Sequence, residues 1–128
     1  ISTSLASDSV DVVVSAFGLK TLSKDGVKGF AQEIARILRK EGRFSLLEIS
    51  VPRNSVLRFL FMFYISKLIP TIGKVLLGDI DCYRMLGVYT QNFGACDNIV
   101  EDFRSEGLEV SLKSHLGGCA TSLIGRKE

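Results

Sequence analysis

Three residues that could line a ligand site follow a run of valines near the start of the chain. Ala16, Phe17 and Gly18 come shortly after the apolar run at 12–14. An unbroken apolar run is typical of a strand buried on both faces of a parallel sheet, and open α/β sheets bind ligands beyond the carboxyl ends of their strands. The three residues are therefore candidate ligand contacts. The alternative is an ordinary strand-end turn with a buried Phe17.

Residues that commonly ligate metals or act as bases are few. The chain has one histidine, His115, and three widely spaced cysteines, Cys82, Cys96 and Cys119, without a CxxC pair. This spacing predicts neither a zinc site nor a disulfide framework, so we expect no metal and a reducing, cytoplasmic compartment. We expect His115 in the loop before the last strand, where a surface or hairpin role is favoured over catalysis.

A strand–helix–strand unit must position the candidate contacts. Ser23 is a predicted helix N-cap, and apolar residues recur at helical spacing as far as Leu38, with Arg36, Arg39 and Lys40 in the last turn and Gly42 just beyond. Residues 43–51 form the next predicted strand. The pattern predicts a right-handed βαβ unit, and the glycines in it do not form the GxGxxG dinucleotide fingerprint.

Residues 54–93 are predicted as a helical insert, broken at Pro70 and Gly73 and again near Gly78. Its first part, 56–69, is apolar on every face and includes Phe63. Fourteen residues before a proline are too few to span a bilayer, so we expect this segment not to span. A buried or dimer-forming helix is one interpretation, and a pocket wall or membrane-contacting surface is the other.

The end of the chain predicts a reversed strand. Residues 97–106 are predicted as a helix ended by Gly107, residues 108–112 alternate as a strand, and a turn at 117–118 leads into a last strand at 119–126. The short link makes the last two strands antiparallel neighbours.

The sequence contains 46% apolar residues and 23% charged residues, with a net charge of +2 and no basic block. We therefore expect a globular domain that does not bind nucleic acid.

Several motifs in this order resemble the C-methyltransferases of ubiquinone and menaquinone biosynthesis. The segments that carry the resemblance are DVVVSAFGLKTL (11–22), RILRKEGRFSLLEISVP (36–52) and GGCATSLIGRK (117–127). Further matches lie at Tyr83, Leu86, Phe93, Gly107 and Val110. The resemblance covers essentially all 128 residues. It implies the α/β C-terminal half of a class I methyltransferase (Rossmann-like) fold: a mostly parallel sheet with one antiparallel strand, helices on both faces and a helical insert.

The same resemblance implies S-adenosylmethionine as cofactor and a quinol-type acceptor. Ala16, Phe17 and Gly18 would face the cofactor. Lys20 and Thr21 stand in the places of an Arg-Asn pair near the reacting ring, and they are the candidate catalytic residues; the alternative for Lys20 is a solvated loop lysine. The predicted acceptor pocket comprises Phe63, Tyr83 and Tyr89, the two tyrosines lying near Asp79 and Asp81 in the sequence. The alternative is that these helical aromatics belong to the core.

The family's glycine-rich loop and the acidic residue after its second strand are not found in this sequence. We therefore expect residues 1–128 to form a single partial domain, inactive alone, within a longer enzyme. The alternatives are a non-catalytic association module and a small-molecule O-methyltransferase. We also expect a homodimer formed through the strand at 12–14 or through the apolar helices, and a cytoplasmic location with contact to the membrane periphery.

Overall fold

The computed structural model describes residues 1–78 and 81–128. Its four strands are β1 (Val10–Ala16), β2 (Leu38–Ile49), β3 (Leu108–His115) and β4 (Ala120–Lys127). They form one sheet in the order β1-β2-β4-β3. The sheet pairs β1 with β2 in parallel and β4 antiparallel to both β2 and β3. The reversed strand thus lies between two parallel ones, which confirms the predicted topology.

Helix α1 (Lys24–Ile37) crosses between β1 and β2. Ser23 caps it by accepting a hydrogen bond from the Gly26 N–H at 3.1 Å. Its buried apolar residues follow the helical repeat: Val27, Ala31, Ile34 and Ile37. The predicted start and apolar face of this helix are confirmed, because both depend on local sequence.

The predicted end of α1 is wrong. The helix stops at Ile37, and Arg39 belongs to β2, where its guanidinium contacts both carboxylate oxygens of Asp11 at 2.9 Å. Gly42 is not a helix cap either. It is buried, and a Cβ atom there would lie 2.7 Å from the Arg39 carbonyl oxygen. Pairing with β1 overrides the helical pattern at this junction.

The insert begins with one long helix. It comprises α2 (Ser55–Phe63), a π-helical turn (Tyr64–Leu68) and α3 (Ile69–Leu77), which follow one another without a break. The predicted break at Gly73 is wrong, because Gly73 lies inside α3, and so is the predicted break at Pro70. The π turn just before it bonds the Ile69 N–H to the Tyr64 carbonyl, and this wider turn accommodates a residue that has no N–H of its own. The helix ends at Gly78, whose φ of 74° is left-handed, as the predicted break there requires.

The length argument against a membrane span is therefore also wrong. Residues Ser55–Leu76 form a helix of 22 residues that is long and apolar enough to cross a bilayer, judged by length and composition alone. Helix α4 (Asp81–Phe93) follows and packs back against it. A Cβ atom on Gly73 would lie 2.9 Å from the Tyr83 ring, so the two helices meet closely at that glycine. Asp79, placed beside the acceptor pocket from sequence, lies outside the described residues.

A short helix leads into the last two strands. A 3₁₀ turn (Cys96–Ile99) continues into α5 (Val100–Arg104), and Gly107 follows with a φ of 78°. Ile99, Val100 and Phe103 of this segment are buried. Phe103 stacks on Phe44 of β2 with ring centroids 5.7 Å apart.

One face of the sheet carries the core. Leu46 and Leu123 point to this face and are completely buried beneath α1 and α5. On the opposite face Val12 is 56% exposed and Val14 is 74% exposed. The expectation that the valine run is buried on both faces is wrong, and so is the expectation of helices on both faces for the described residues. Both amphipathic helices that connect the strands lie on the same side.

Candidate active site

The turn after β1 holds Phe17 in an unusual conformation. Its N–H donates to the Leu47 carbonyl at 2.8 Å, and its φ of 62° is left-handed, which is uncommon for a residue other than glycine. The Phe17 side chain is 49% exposed, so the alternative of a buried phenylalanine is wrong. Gly18 has a φ of −99°, which any residue can adopt. The turn therefore presents an aromatic ring to solvent at the carboxyl edge of the sheet.

Lys20 turns back beneath this ring. Its ammonium donates to the Phe17 carbonyl at 2.6 Å and to Glu48 Oε1 at 3.0 Å. It also lies 5.5 Å from the centroid of the Phe17 ring, within the range of a cation–π contact. The Lys20 side chain is 6% exposed, so the alternative of a solvated loop lysine is wrong.

Glu48 is the functional candidate that sequence reasoning missed. Its side chain is completely buried on β2. Besides the Lys20 ammonium it accepts the Lys20 backbone N–H on Oε2 at 3.0 Å and the Ile49 N–H on Oε1 at 2.8 Å. A buried carboxylate needs such partners, because an unpaired charge in the core is very costly.

A sequence signal for Glu48 was available. Phe44, Leu46 and Glu48 alternate on β2, and alternate residues of a strand point to the same face. An acidic residue that continues an apolar face predicts a buried carboxylate, and such a group requires a cation. The partner, Lys20, is 28 residues away in sequence, and only the parallel pairing of β1 with β2 brings it close.

Thr21 closes the same turn. Its hydroxyl donates to the Gly18 carbonyl at 2.6 Å, and its side chain is exposed. The structure therefore brings the predicted residues Ala16, Phe17, Gly18, Lys20 and Thr21 together on one turn at the carboxyl edge. Their roles toward a cofactor or acceptor stay predictions.

The cysteine close to this pair is not a nucleophile. Cys96 is buried, and burial, followed by the negative charges of Glu48 and Asp97, raises the pKa of its thiol to about 12. Burial also raises the pKa of the Cys119 thiol. A thiol with so high a pKa is protonated at neutral pH and reacts slowly. Among residues 1–78 and 81–128 no cluster of three or more His, Cys, Asp or Glu side chains could hold a metal ion.

His115 is the last residue of β3 and not a loop residue. Its Nε2 lies 2.9 Å from the Ser122 hydroxyl on the adjoining strand β4. The expected loop position is therefore wrong, because β3 extends to the turn at Leu116–Gly118. The contact supports a structural role for His115 within the hairpin.

The three predicted pocket aromatics lie on the helices of the insert. Phe63 is 55% exposed on α2, Tyr83 packs against Gly73, and Tyr89 is 37% exposed on α4. Four cavities in the described part of the chain are lined by other side chains. The acceptor pocket predicted from these residues stays a prediction.

The largest of these cavities is not at the carboxyl edge. It has a volume of about 460 Å³ and lies on the open sheet face, between Val12, Arg43 and Arg126. The cavity beside the ion pair is smaller, at about 220 Å³, and its polar lining includes Lys20 and Asp102. We place the candidate site at the carboxyl edge, because Phe17 and the buried pair meet there.

Similar proteins share both the sequence and the fold. Demethylmenaquinone methyltransferase of Alkalihalophilus pseudofirmus is 32% identical over 123 residues, covering 95% of this chain and 51% of that protein. Ubiquinone/menaquinone biosynthesis C-methyltransferase UbiE of Geotalea uraniireducens is 33% identical over 127 residues, covering 95% of this chain and 51% of the relative. The chain thus spans about half the length of the curated relatives it matches.

Solved structures agree on the fold. A SAM-dependent methyltransferase of Thermotoga maritima, described as a possible histamine N-methyltransferase, superposes with a TM-score of 0.57 at 16% identity, over 98% of this chain and 59% of that one. Human N-acetylserotonin methyltransferase in complex with SAM gives a TM-score of 0.53 at 13% identity, over 91% and 29%. The family model of the ubiE/COQ5 methyltransferases matches residues 3–127, and the chain belongs to this family.

Proposed function

We propose that this chain is part of an S-adenosylmethionine-dependent methyltransferase that C-methylates a quinol precursor in ubiquinone or menaquinone biosynthesis. The observation that carries the proposal is the family match over residues 3–127, which includes both the Phe17 turn and the Glu48 strand. The names of the relatives point to menaquinone and ubiquinone precursors as acceptors.

The residues present fit one wall of a cofactor site. Ala16 and the Phe17 ring are exposed at the carboxyl edge, where an apolar or cationic ligand surface can pack against them. Glu48 has three donors on its two oxygens and is buried, so it does not bind the cofactor's ribose. The opposite wall would come from residues outside this chain. When bound, the sulfonium cofactor supplies an activated methyl group.

Lys20 serves the proposed reaction as a fixed positive charge. In C-methylation the acceptor's ring carbon forms a bond to the methyl group as the carbon–sulfur bond breaks, and the ring proton then leaves to a base. An ion-paired ammonium has no lone pair with which to take that proton. With two of its N–H groups on Phe17 and Glu48, the Lys20 ammonium can instead stabilise negative charge on an oxygen of the acceptor. The exposed side chain of Thr21 would orient the same acceptor.

The exposed strand β1 supports the proposal that this chain associates with another polypeptide segment. Val12 and Val14 are exposed beside an unpaired strand edge, and such an edge is a template for pairing with another chain. In this proposal the edge is covered either by the rest of a longer methyltransferase domain or by a second copy in a homodimer. The same observation favours our second candidate function, a non-catalytic association module.

We place the protein in the cytoplasm, at the membrane periphery.

Titration calorimetry with S-adenosylhomocysteine tests the proposal, first on this chain and then on the longest native polypeptide that contains it. We expect one-to-one binding by the longer polypeptide and methylation of a demethylquinol when labelled S-adenosylmethionine is supplied. Phe17→Ala should weaken binding, whereas Leu116→Ala, which removes another exposed apolar side chain, should not. A folded longer polypeptide that neither binds nor methylates would refute the enzyme proposal and favour the association module.

A further inference from the structure

The long helix at residues 55–77 presents an unpartnered apolar surface. Nine large apolar side chains on it are between 43% and 78% exposed: Val56, Phe59, Leu60, Phe63, Tyr64, Leu68, Ile72, Val75 and Leu76. We call this set the apolar stripe. Within the most apolar window of the helix only 11% of the residues are buried. A monomeric soluble protein rarely exposes a contiguous apolar surface of this extent.

The spacing of the stripe keeps it on one side of the helix. Its members follow one another at intervals of three, one or four residues, which is the repeat of a single helical face. The π turn at Tyr64–Leu68 falls in the middle of the stripe, and the four-residue steps from Tyr64 to Leu68 and Ile72 carry the stripe across it. The stripe therefore extends ~30 Å along the helix.

The opposite side of the long helix is occupied by the protein itself. Ile65 and Gly73 are buried there, and Gly73 meets Tyr83 of α4. A Cβ atom added to Gly87 of α4 would collide with Ser66 of the π turn. Because α4 lies along this side, only the outer half of the long helix is available to contact a membrane. This geometry fits a helix lying in a membrane surface and not one crossing the bilayer alone.

The charges of the long helix select the kind of surface. Residues 55–78 contain Arg58, Lys67 and Lys74 and no acidic residue. Arg58 is engaged by the backbone, since its guanidinium donates to the Pro52 and Arg53 carbonyls at 3.0 and 3.2 Å. Lys67 and Lys74 are both exposed, and long lysine side chains beside an apolar face can keep their ammonium groups at the level of lipid headgroups.

We infer that the long helix docks the protein on a bilayer surface that carries anionic lipid headgroups. The apolar stripe enters the boundary between headgroups and acyl chains, and Lys67 and Lys74 contact the anionic headgroups. A second copy of the chain could also cover an apolar stripe. The bilayer is favoured because two copies facing each other across this helix would bring four like charges together. This inference concerns lipid binding and does not depend on the proposed methyl transfer.

Co-sedimentation with lipid vesicles tests the inference on the chain as it stands. Vesicles of phosphatidylcholine alone are compared with vesicles that also contain phosphatidylglycerol, at low and high salt. We expect binding to the mixed vesicles that weakens with salt. Replacing both lysines, in the variant Lys67→Gln/Lys74→Gln, should weaken that binding about thirtyfold, because each lysine near an anionic surface contributes about a fivefold gain in affinity.

A matched pair of variants separates the stripe from exposed apolar residues in general. Phe59→Ser/Phe63→Ser removes two side chains that are 70% and 55% exposed, and should reduce binding to both kinds of vesicle by more than tenfold. Val12→Thr/Val14→Thr changes two side chains that are 56% and 74% exposed on β1, and should bind as the parent chain does. Circular dichroism checks that all variants are folded, which we expect because the substituted side chains are exposed.

Two results would overturn the inference. One is binding to mixed vesicles no stronger than to phosphatidylcholine alone, or unchanged by the Phe59/Phe63 substitutions. The other is a dimer in analytical ultracentrifugation that does not bind vesicles and that the same substitutions convert to a monomer. In that case the stripe is an interface between two copies of the chain.

Discussion

The buried pair between Lys20 and Glu48 allows a quantitative prediction of stability. The Lys20 side chain is 6% exposed and Glu48 is completely buried, with Nζ and Oε1 3.0 Å apart. Glu48→Gln preserves the shape of the side chain and leaves the ammonium buried without its counter-charge. Removal of one partner from such a pair costs about 3–5 kcal/mol. For a domain of this size that corresponds to a fall in melting temperature of about 11–19 °C.

Urea unfolding followed by circular dichroism measures this effect. We expect Glu48→Gln to lower the midpoint with little change in slope, because the surface exposed on unfolding is the same. Lys20→Met/Glu48→Gln removes both charges and should recover most of the lost stability, since a buried pair can often be replaced by uncharged groups at little cost. The coupling energy between the two sites should then be at least about 2 kcal/mol.

An exposed ion pair provides the control. Arg104 and Glu101 lie 2.8 Å apart with side chains that are 53% and 81% exposed. Glu101→Gln should cost less than about 0.5 kcal/mol, because solvent screens such pairs. The reasoning is refuted if Glu48→Gln costs no more than Glu101→Gln, or if the effects of the Lys20 and Glu48 substitutions simply add.

Three further predictions follow from individual side chains. Hydrogen bonds, first of all the one from Arg36, lower the pKa of Glu33 to about 2. The stabilising effect of Glu33 is therefore complete above pH 4.5 and is lost as the pH falls toward 2. Glu33→Gln should flatten the pH dependence of stability in that window, and an unchanged profile would contradict the assignment. Because burial raises its pKa to about 12, Cys96 should resist iodoacetamide at neutral pH until the protein unfolds, and mass spectrometry showing rapid labelling of the native protein would contradict this. A Cβ atom on Gly125 would collide with the Glu109 carbonyl oxygen of β3 and lie 2.8 Å from the Phe44 ring, so Gly125→Ala should cost about 3 kcal/mol or more in urea unfolding, and a neutral result would contradict the close approach of β3 and β4 at this glycine.

Much of the fold follows from local rules. The Ser23 cap, the apolar face of α1 and the helix end at Gly78 are predicted correctly, because each depends on residues within one or two turns. The reversed strand β4 is also predicted correctly, because the link between β3 and β4 is too short for a parallel crossover.

The errors lie at positions where the usual meaning of a local pattern does not hold. Pro70 normally ends a helix, yet the π turn before it lets the helix continue. The end of α1 is shortened because pairing between β1 and β2 takes Arg39 into the sheet, opposite Asp11. In both cases the local sequence favours the end of a helix at one position, and the folded chain places that end elsewhere.

The amino-acid sequence by itself determined the order of the elements, the family resemblance and the turn at residues 16–21 as the candidate site. Tertiary structure alone decided what lies in that turn. Lys20 could equally have been solvated, and its burial depends on Glu48, 28 residues away on the neighbouring strand. It also decided that Val12 and Val14 are exposed, because an apolar run specifies a preference for burial but not which surface provides it.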